Sequence, residues 1–250
     1  MKTALGLMFV FLLGVSDQVS ALEVEQIVQK SQQAFYYAAT DLRARVSMQL
    51  IDASGNIRNR EMTMLRHNSG EGGKQKYFIY FHQPGDVRRM TFMVWKDPEK
   101  EDQRWLFIPA VDLVRRIAAD DKRSSFVGSD FTYEDVSGRD INDDNHTLLG
   151  EEKVSDRDAF VVQSIPKEIL DYSKRITWID KLTFLPLKEE FYDVQKELFR
   201  VFTADKIEVI DGWPTIMKRT MKKVKSGHRT EVTFEAITYS IKLAEEDFSE

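Results

Sequence analysis

The chain has 250 residues, 36 basic and 41 acidic side chains, and a formal net charge of −5, a balance that speaks against general nucleic-acid binding. It contains no cysteine, so no disulfide or lipidated-cysteine anchor is expected and a folded core must come from apolar burial alone.

Lys2 precedes the apolar run "ALGLMFVFLLGV" (4–15), and Val19 and Ala21 stand at the small-residue positions of a cleavage site. This pattern predicts a secretory signal peptide over 1–21, cleaved near Ala21; the apolar run is too short for a membrane span. The mature chain, 22–250, opens with "EVEQIVQKSQQAFYYAA" (23–39), where Val24, Ile27, Val28, Ala34, Phe35 and Ala38 recur at helical spacing.

After Thr40 the texture changes to short strand-like runs. "RARVSMQLID" (43–52) alternates, "ASGN" (53–56) reads as a hairpin turn, and "IRNREMTMLRH" (57–67) follows. Further strands are predicted at 75–82, 90–96, 103–108, 112–118, 158–165, 174–180, 187–193, 197–203, 213–222 and 229–242. Short strands with turn-length gaps mean an antiparallel meander rather than βα units. No internal repeat or linker divides it, so one domain over 22–250 is expected.

The strands differ in kind. Late ones such as "TEVTFEA" (230–236) alternate between one dry and one wet face, whereas "YFIYF" (77–81), "MTFMVW" (90–95) and "WLFIP" (105–109) are apolar on both faces. Such strands need cover on both sides, and a twisted sheet with few helices can curl into a half-barrel whose concave side is apolar. A side-chain-filled core and a ligand cavity satisfy this pattern equally. The basic cluster "KRTMKKVK" (218–225) suits the solvated face of a strand.

Catalytic patterns are sparse. There is no G-x-S-x-G elbow, and the four histidines are scattered without an H-E-x-x-H pair, so no metal or cofactor is expected. "DINDDNHTLLGE" (140–151) has carboxylate spacing like an EF-hand loop, but Asn145 stands at the sharp-turn position and a strand soon follows; a polar loop is the expectation. In "FVGSDFTYEDVSG" (126–138), Asp130 and Glu134 could supply paired carboxyls for an envelope hydrolase. Local chemistry favours a short helix instead, capped by Ser129, with Asp130 in its first turn, Gly138 at its end, and Phe131, Tyr133 and Val136 as contacts.

"LFIPAVDLVRRIAADDKRSSFVGSDFTYEDVSG" (106–138) and "WIDKLTFLPLKEEFYD" (178–193) together resemble the bacterial outer-membrane lipoprotein-sorting proteins, the LolA-like group, in its longer-chain branch. The similarity runs over nearly the whole mature chain. It implies a mainly β fold with a few helices, an incomplete antiparallel β-barrel with a helical lid over an apolar cavity. It also implies a periplasmic, non-enzymatic, monomeric carrier of lipid or lipoprotein acyl chains. An inner-membrane transporter of the resistance-nodulation-division type and an outer-membrane acceptor are the implied partners. Where the short carriers have a basic–Pro pair closely followed by a strand, this chain has "LRHNSGEGGKQKYFIYFHQPGDVRRM" (65–90), and no lid-holding arginine is assigned.

The candidate cavity-lining residues are Tyr77, Ile79, Phe81, Phe92, Val94, Trp105 and Phe107 from the sheet, with Phe126, Phe131 and Tyr133 from the lid. Strand parity is open, because a one-residue slip inverts it. The other functions to separate from a carrier are a transporter-associated interaction module without cargo and a hydrolase using Asp130 and Glu134.

Overall fold

Residues 23–69, 73–168 and 171–248 are described by a computed structural model. The signal peptide expected over 1–21 lies outside the described residues. Helix α1 (Val24–Tyr36) comes first, with Ile27 and Val28 buried on its apolar face. No helix among the described residues is long and apolar enough to cross a membrane.

Strands β1 (Asp41–Ile51), β2 (Ile57–Ser69), β3 (Lys74–Gln83), β4 (Thr91–Lys96), β5 (Gln103–Ile108) and β6 (Leu113–Ile117) form one antiparallel meander. A second contains β7 (Asp144–Val154), β8 (Arg157–Pro166), β9 (Tyr172–Asp180), β10 (Pro186–Asp193), β11 (Leu198–Ile210), β12 (Trp213–Lys223) and β13 (Arg229–Tyr239). Pairing of β1 with β13 fuses them into one 13-stranded sheet whose edges are β6 and β7. The "ASGN" turn closes as expected: Asp52 accepts hydrogen bonds from the backbone N–H groups of Ser54 and Asn56 at 2.8 and 2.9 Å, and Gly55 supplies φ +84°.

Register shifts interrupt β1 against β13 at Arg45/Val46, β2 against β3 at Glu61/Met62, and β11 against β12 at Ala204/Lys206. Each adds local twist, so the sheet curls while its edges stay unpaired with each other. The fold is therefore an unclosed antiparallel half-barrel.

Sequential strands are neighbours except at the passage from β6 to β7, which joins the two edges. That passage contains helix α2 (Tyr133–Ser137) and short 3₁₀ turns. Connectivity thus carries the segment from one edge of the half-barrel to the other, which is how it becomes a lid.

The outer face of the doubly apolar strands has its own cover. Trp95 and Trp105 meet edge to face at 5.0 Å, and Trp95 Nε1 donates to the carbonyl of Phe248. Phe248, in the C-terminal 3₁₀ turn Glu245–Phe248, is wholly buried beside the His67 ring. The second face that needed covering is met, in part, by the chain's own end.

Strand β7 falls where a polar loop was expected. As an edge strand it leaves Leu148 and Leu149 exposed and has little burial periodicity to betray it. Its Asp144 is buried against Arg139 at 3.0 Å, with Arg175 at 3.7 Å, and Asp140 accepts from the N–H of Asn142 at 2.8 Å. Asp140 thus caps a turn and Asp144 pairs with arginine.

Candidate functional site

Register sets which side chains share the concave face. Phe81 lies opposite Met62, Met62 opposite Val46, and Val46 opposite Phe234, one row across four strands. Ile79 opposite Met64 continues the next row, with Phe92 opposite Ile79 and Val94 opposite Tyr77. Tyr77, Ile79, Phe81, Phe92 and Val94 are all buried here, together with Phe126, Phe131 and Tyr133 from the lid, in one apolar cluster.

Trp105 and Phe107 are corrected. Phe92 pairs with Leu106 and Val94 with Arg104, so Leu106 and Arg104 share the concave face while Trp105 and Phe107 point outward. The slip is one residue, in a strand whose two faces are equally apolar. The basic cluster is also split. Arg219 pairs with Val232 and Met221 with Thr230, so Arg219 faces inward with Met221 rather than into solvent.

The lid starts with a sharp reversal. Val127 and Gly128 both have positive φ, +48° and +75°, and the Phe126 N–H returns to the carbonyl of Phe131 at 2.8 Å. Helix α2 begins three residues later than the sequence suggested, because Thr132 rather than Ser129 is its N-cap. The Thr132 hydroxyl accepts from the Asp135 N–H at 3.0 Å, and the Asp135 carboxylate accepts from the Thr132 N–H at 2.7 Å. This is a reciprocal capping box. Gly138 ends the helix at φ +84°, a conformation that favours glycine, and a Cβ there would come within 3.1 Å of the Tyr36 ring, tighter than ordinary contact.

Polar contacts bolt the lid to both halves of the sheet. From β2, the Arg60 guanidinium donates to the carbonyl of Val127. From β4, Lys96 donates to the carbonyls of Ser137 and Gly138 at 2.8 and 3.0 Å. From β11, Arg200 holds Asp135 at 2.7 Å, and from β13 the Thr230 hydroxyl donates to Asp130 at 2.8 Å. Lys223 stands 3.5 Å from Asp130 at the rim.

Glu134 is buried between Arg123, Arg139 and Lys122 at 2.8, 3.1 and 3.4 Å. Burial alone would raise its pKa, but Arg139, Arg123 and Lys122 outweigh that and hold the carboxyl below its ordinary value. Burial pushes Lys96 down, with Asp102 opposing. A carboxylate kept ionised by three cations is poorly suited to donate a proton, and Asp130 is engaged with Thr230. Asp130 thus ties the lid to β13, and Glu134 ties α2 to the neighbouring turns of its own passage. Sequence reasoning missed Arg60 and Arg200 as lid contacts, because an arginine in an alternating strand reads as a wet-face residue.

Beneath the lid the space is nearly filled. An apolar cavity of about 30 Å³ lies between Val46, Met48, Ile79, Phe126 and Phe131. A second, of about 50 Å³, lies under α1 beside Tyr77 and Arg66. Both are far below the roughly 300–1,000 Å³ of small-molecule sites. Phe126 fills much of the space, with ring centroids 5.3 Å from Phe92 and 5.6 Å from Tyr133. The wider cleft outside the lid, about 970 Å³, is lined by charges of both signs, including Lys122, Asp143 and Lys167.

A family profile described as that of an uncharacterized protein matches residues 73–250. No curated protein matches the chain. Among solved structures, a DUF1329 family protein from Desulfovibrio piger is 26% identical, covering 90% of this chain and 94% of that one with a TM-score of 0.81. A protein described as an outer membrane lipoprotein-sorting protein domain, from Vibrio parahaemolyticus, is 30% identical over 89% of this chain and 94% of its own, also at TM-score 0.81. A LolA superfamily protein from Nitrosomonas europaea shares the fold at 18% identity, with 92% and 99% covered and a TM-score of 0.71. The chain belongs to the outer membrane lipoprotein-sorting protein family, built on the LolA-type half-barrel.

Proposed function

We propose that this protein is a periplasmic, non-enzymatic carrier whose single half-barrel domain, 22–250, takes lipid or the acyl chains of lipoproteins onto its concave face. One observation carries the proposal: what lies under the lid is mostly apolar, while what holds the lid is polar. Side chains such as Phe81, Phe92, Met62 and Val46 are withdrawn from water by a strap bonded to the sheet through Arg60, Lys96, Arg200 and Thr230. Lid–sheet bonds of this kind can be exchanged for bonds to water when the lid lifts, at a net cost of about 0.5–1.5 kcal/mol each for neutral partners and more where a charge takes part. Acyl chains entering the opened space gain about 0.8 kcal/mol per buried CH₂.

The proposed lining residues are Tyr77, Ile79, Phe81, Phe92, Val94, Phe126, Phe131 and Tyr133, with Leu106 in place of Trp105 and Phe107. The secretory leader read at 1–21 and the family support periplasmic placement. An inner-membrane transporter of the resistance-nodulation-division type and an outer-membrane acceptor are the proposed partners in outer-membrane lipid or lipoprotein traffic.

Organic extraction of the purified protein, followed by mass spectrometry, is expected to release lipid in about stoichiometric amount. Delipidated protein is expected to take up a fluorescent fatty acid. A protein that extracts empty and takes up none is instead a docking module with a filled core.

A further inference from the structure

Resting on the carrier reading, the charge inside the cavities says more about the cargo. The cavity under α1 is lined by two guanidinium groups, Arg66 and Arg219, and by the phenol-bearing residues Tyr36, Tyr77 and Tyr239, with no carboxylate in its wall. Arg219 lines the neighbouring apolar cavity as well, and also a third, of about 20 Å³, whose wall holds Glu134, Asp135 and Glu189.

Among the described residues Arg219 forms no ion pair with a carboxylate. Its guanidinium lies 5.5, 5.6 and 5.1 Å from the ring centres of Phe35, Phe131 and Phe234, and its Nε, though buried, has no acceptor among the described residues. The carboxylate of Asp135 is taken by Arg200 and by the Thr132 N–H, and that of Glu189 is 3.4 Å from Arg175. Arg66 donates to the carbonyl of Ala38, but its Nε is likewise buried without an acceptor. Aromatic faces attract a cation only weakly compared with a carboxylate or phosphate. Arg66 is buried and Arg219 half-buried, and sheltering two cations without a paired carboxylate among the described residues is costly.

We propose that Arg219, with Arg66 behind it, receives the anionic headgroup of an amphiphilic cargo, a carboxylate or a phosphate monoester, drawn under the lid with its chain along the Val46–Phe234 row. Phe35 of α1 and Phe131 of the lid, now stacked about the guanidinium, would part to admit the headgroup.

The test compares dodecanoic acid, dodecyl phosphate and dodecanol by isothermal titration on the full mature chain, as wild type, Arg219→Met and Arg219→Lys. The wild type is expected to bind at least one of the two anions about tenfold to a hundredfold more tightly than the alcohol. The tighter anion identifies the headgroup as carboxylate or phosphate. Arg219→Met should remove that margin while leaving dodecanol affinity unchanged, and Arg219→Lys should keep part of it. Equal binding of acid and alcohol by the wild type, or a margin that survives in Arg219→Met, overturns the headgroup assignment while leaving the carrier standing. If none of the three ligands binds, the carrier itself fails and the assignment falls with it. Should Arg219→Met not fold, Arg219→Lys and the wild-type margin still decide.

Discussion

Glu134→Gln is expected to destabilise the fold by about 3–5 kcal/mol at neutral pH, read as a shift of the urea midpoint. Glu134 is buried and is the acceptor at which Arg123, Arg139 and Lys122 converge. The amide would leave three cations facing one another without their counter-charge. The pH dependence has a definite sign. The folded carboxyl has a pKa below its unfolded value of about 4.3, so its stabilisation is fully present above that value and is lost as pH falls through the depressed folded pKa. The gap between wild type and variant should hold from neutrality down to about pH 5 and shrink below about pH 4. A hydrolase predicts the reverse phenotype, an inactive variant of unchanged stability.

The second large effect is expected at Phe126. Phe126→Ala should cost about 3–5 kcal/mol, because a fully buried ring is removed from a site that cannot collapse around the gap. Phe126 is 1% exposed, with Phe92 at 5.3 Å and Phe81 at 6.0 Å on the sheet side and Tyr133 at 5.6 Å within the lid. Its loss also loosens the lid, so a dye that lights up on apolar surface should bind the folded variant more than the wild type. A cost under about 1 kcal/mol, the range of a surface substitution, would place Phe126 outside the lid's packing.

Much of the half-barrel was legible because its strands carry the usual signals. β3 and β13 are rich in aromatic and β-branched residues, and turns such as 53–56 contain residues that force reversal. β7 was not legible, since "DNHTLLGEEKV" is an edge strand mostly exposed to water and lacks the alternation that burial imposes. In β5, "QRWLFI" is apolar on both faces, and only its pairing with β4 decides that Leu106 rather than Trp105 turns inward.

The lid was half legible. Its aromatic residues and closing glycine were evident, and Gly138 does close the helix at positive φ against the Tyr36 ring. Its true cap was hidden by an equally plausible serine three residues earlier; the choice fell to Thr132 because Asp135 returns the hydrogen bond. Least legible were the inward arginines Arg60, Arg66, Arg200 and Arg219. Most of their partners lie far away along the chain, and a charged side chain in a strand ordinarily signals solvent.

The central claim is that the strap must lift from the sheet to admit cargo, and a reversible bond tests it most directly. The backbone nitrogen of Asp130 lies 2.9 Å from the hydroxyl of Thr230, so lid and sheet are one side chain apart at this point. The chain has no cysteine of its own, so the pair Asp130→Cys with Thr230→Cys forms a single defined disulfide. Uptake of a fluorescent fatty acid is measured on the same double variant, oxidised and then reduced. The oxidised protein should take up almost none and the reduced protein should recover it; equal uptake in the two states would contradict entry beneath the lid.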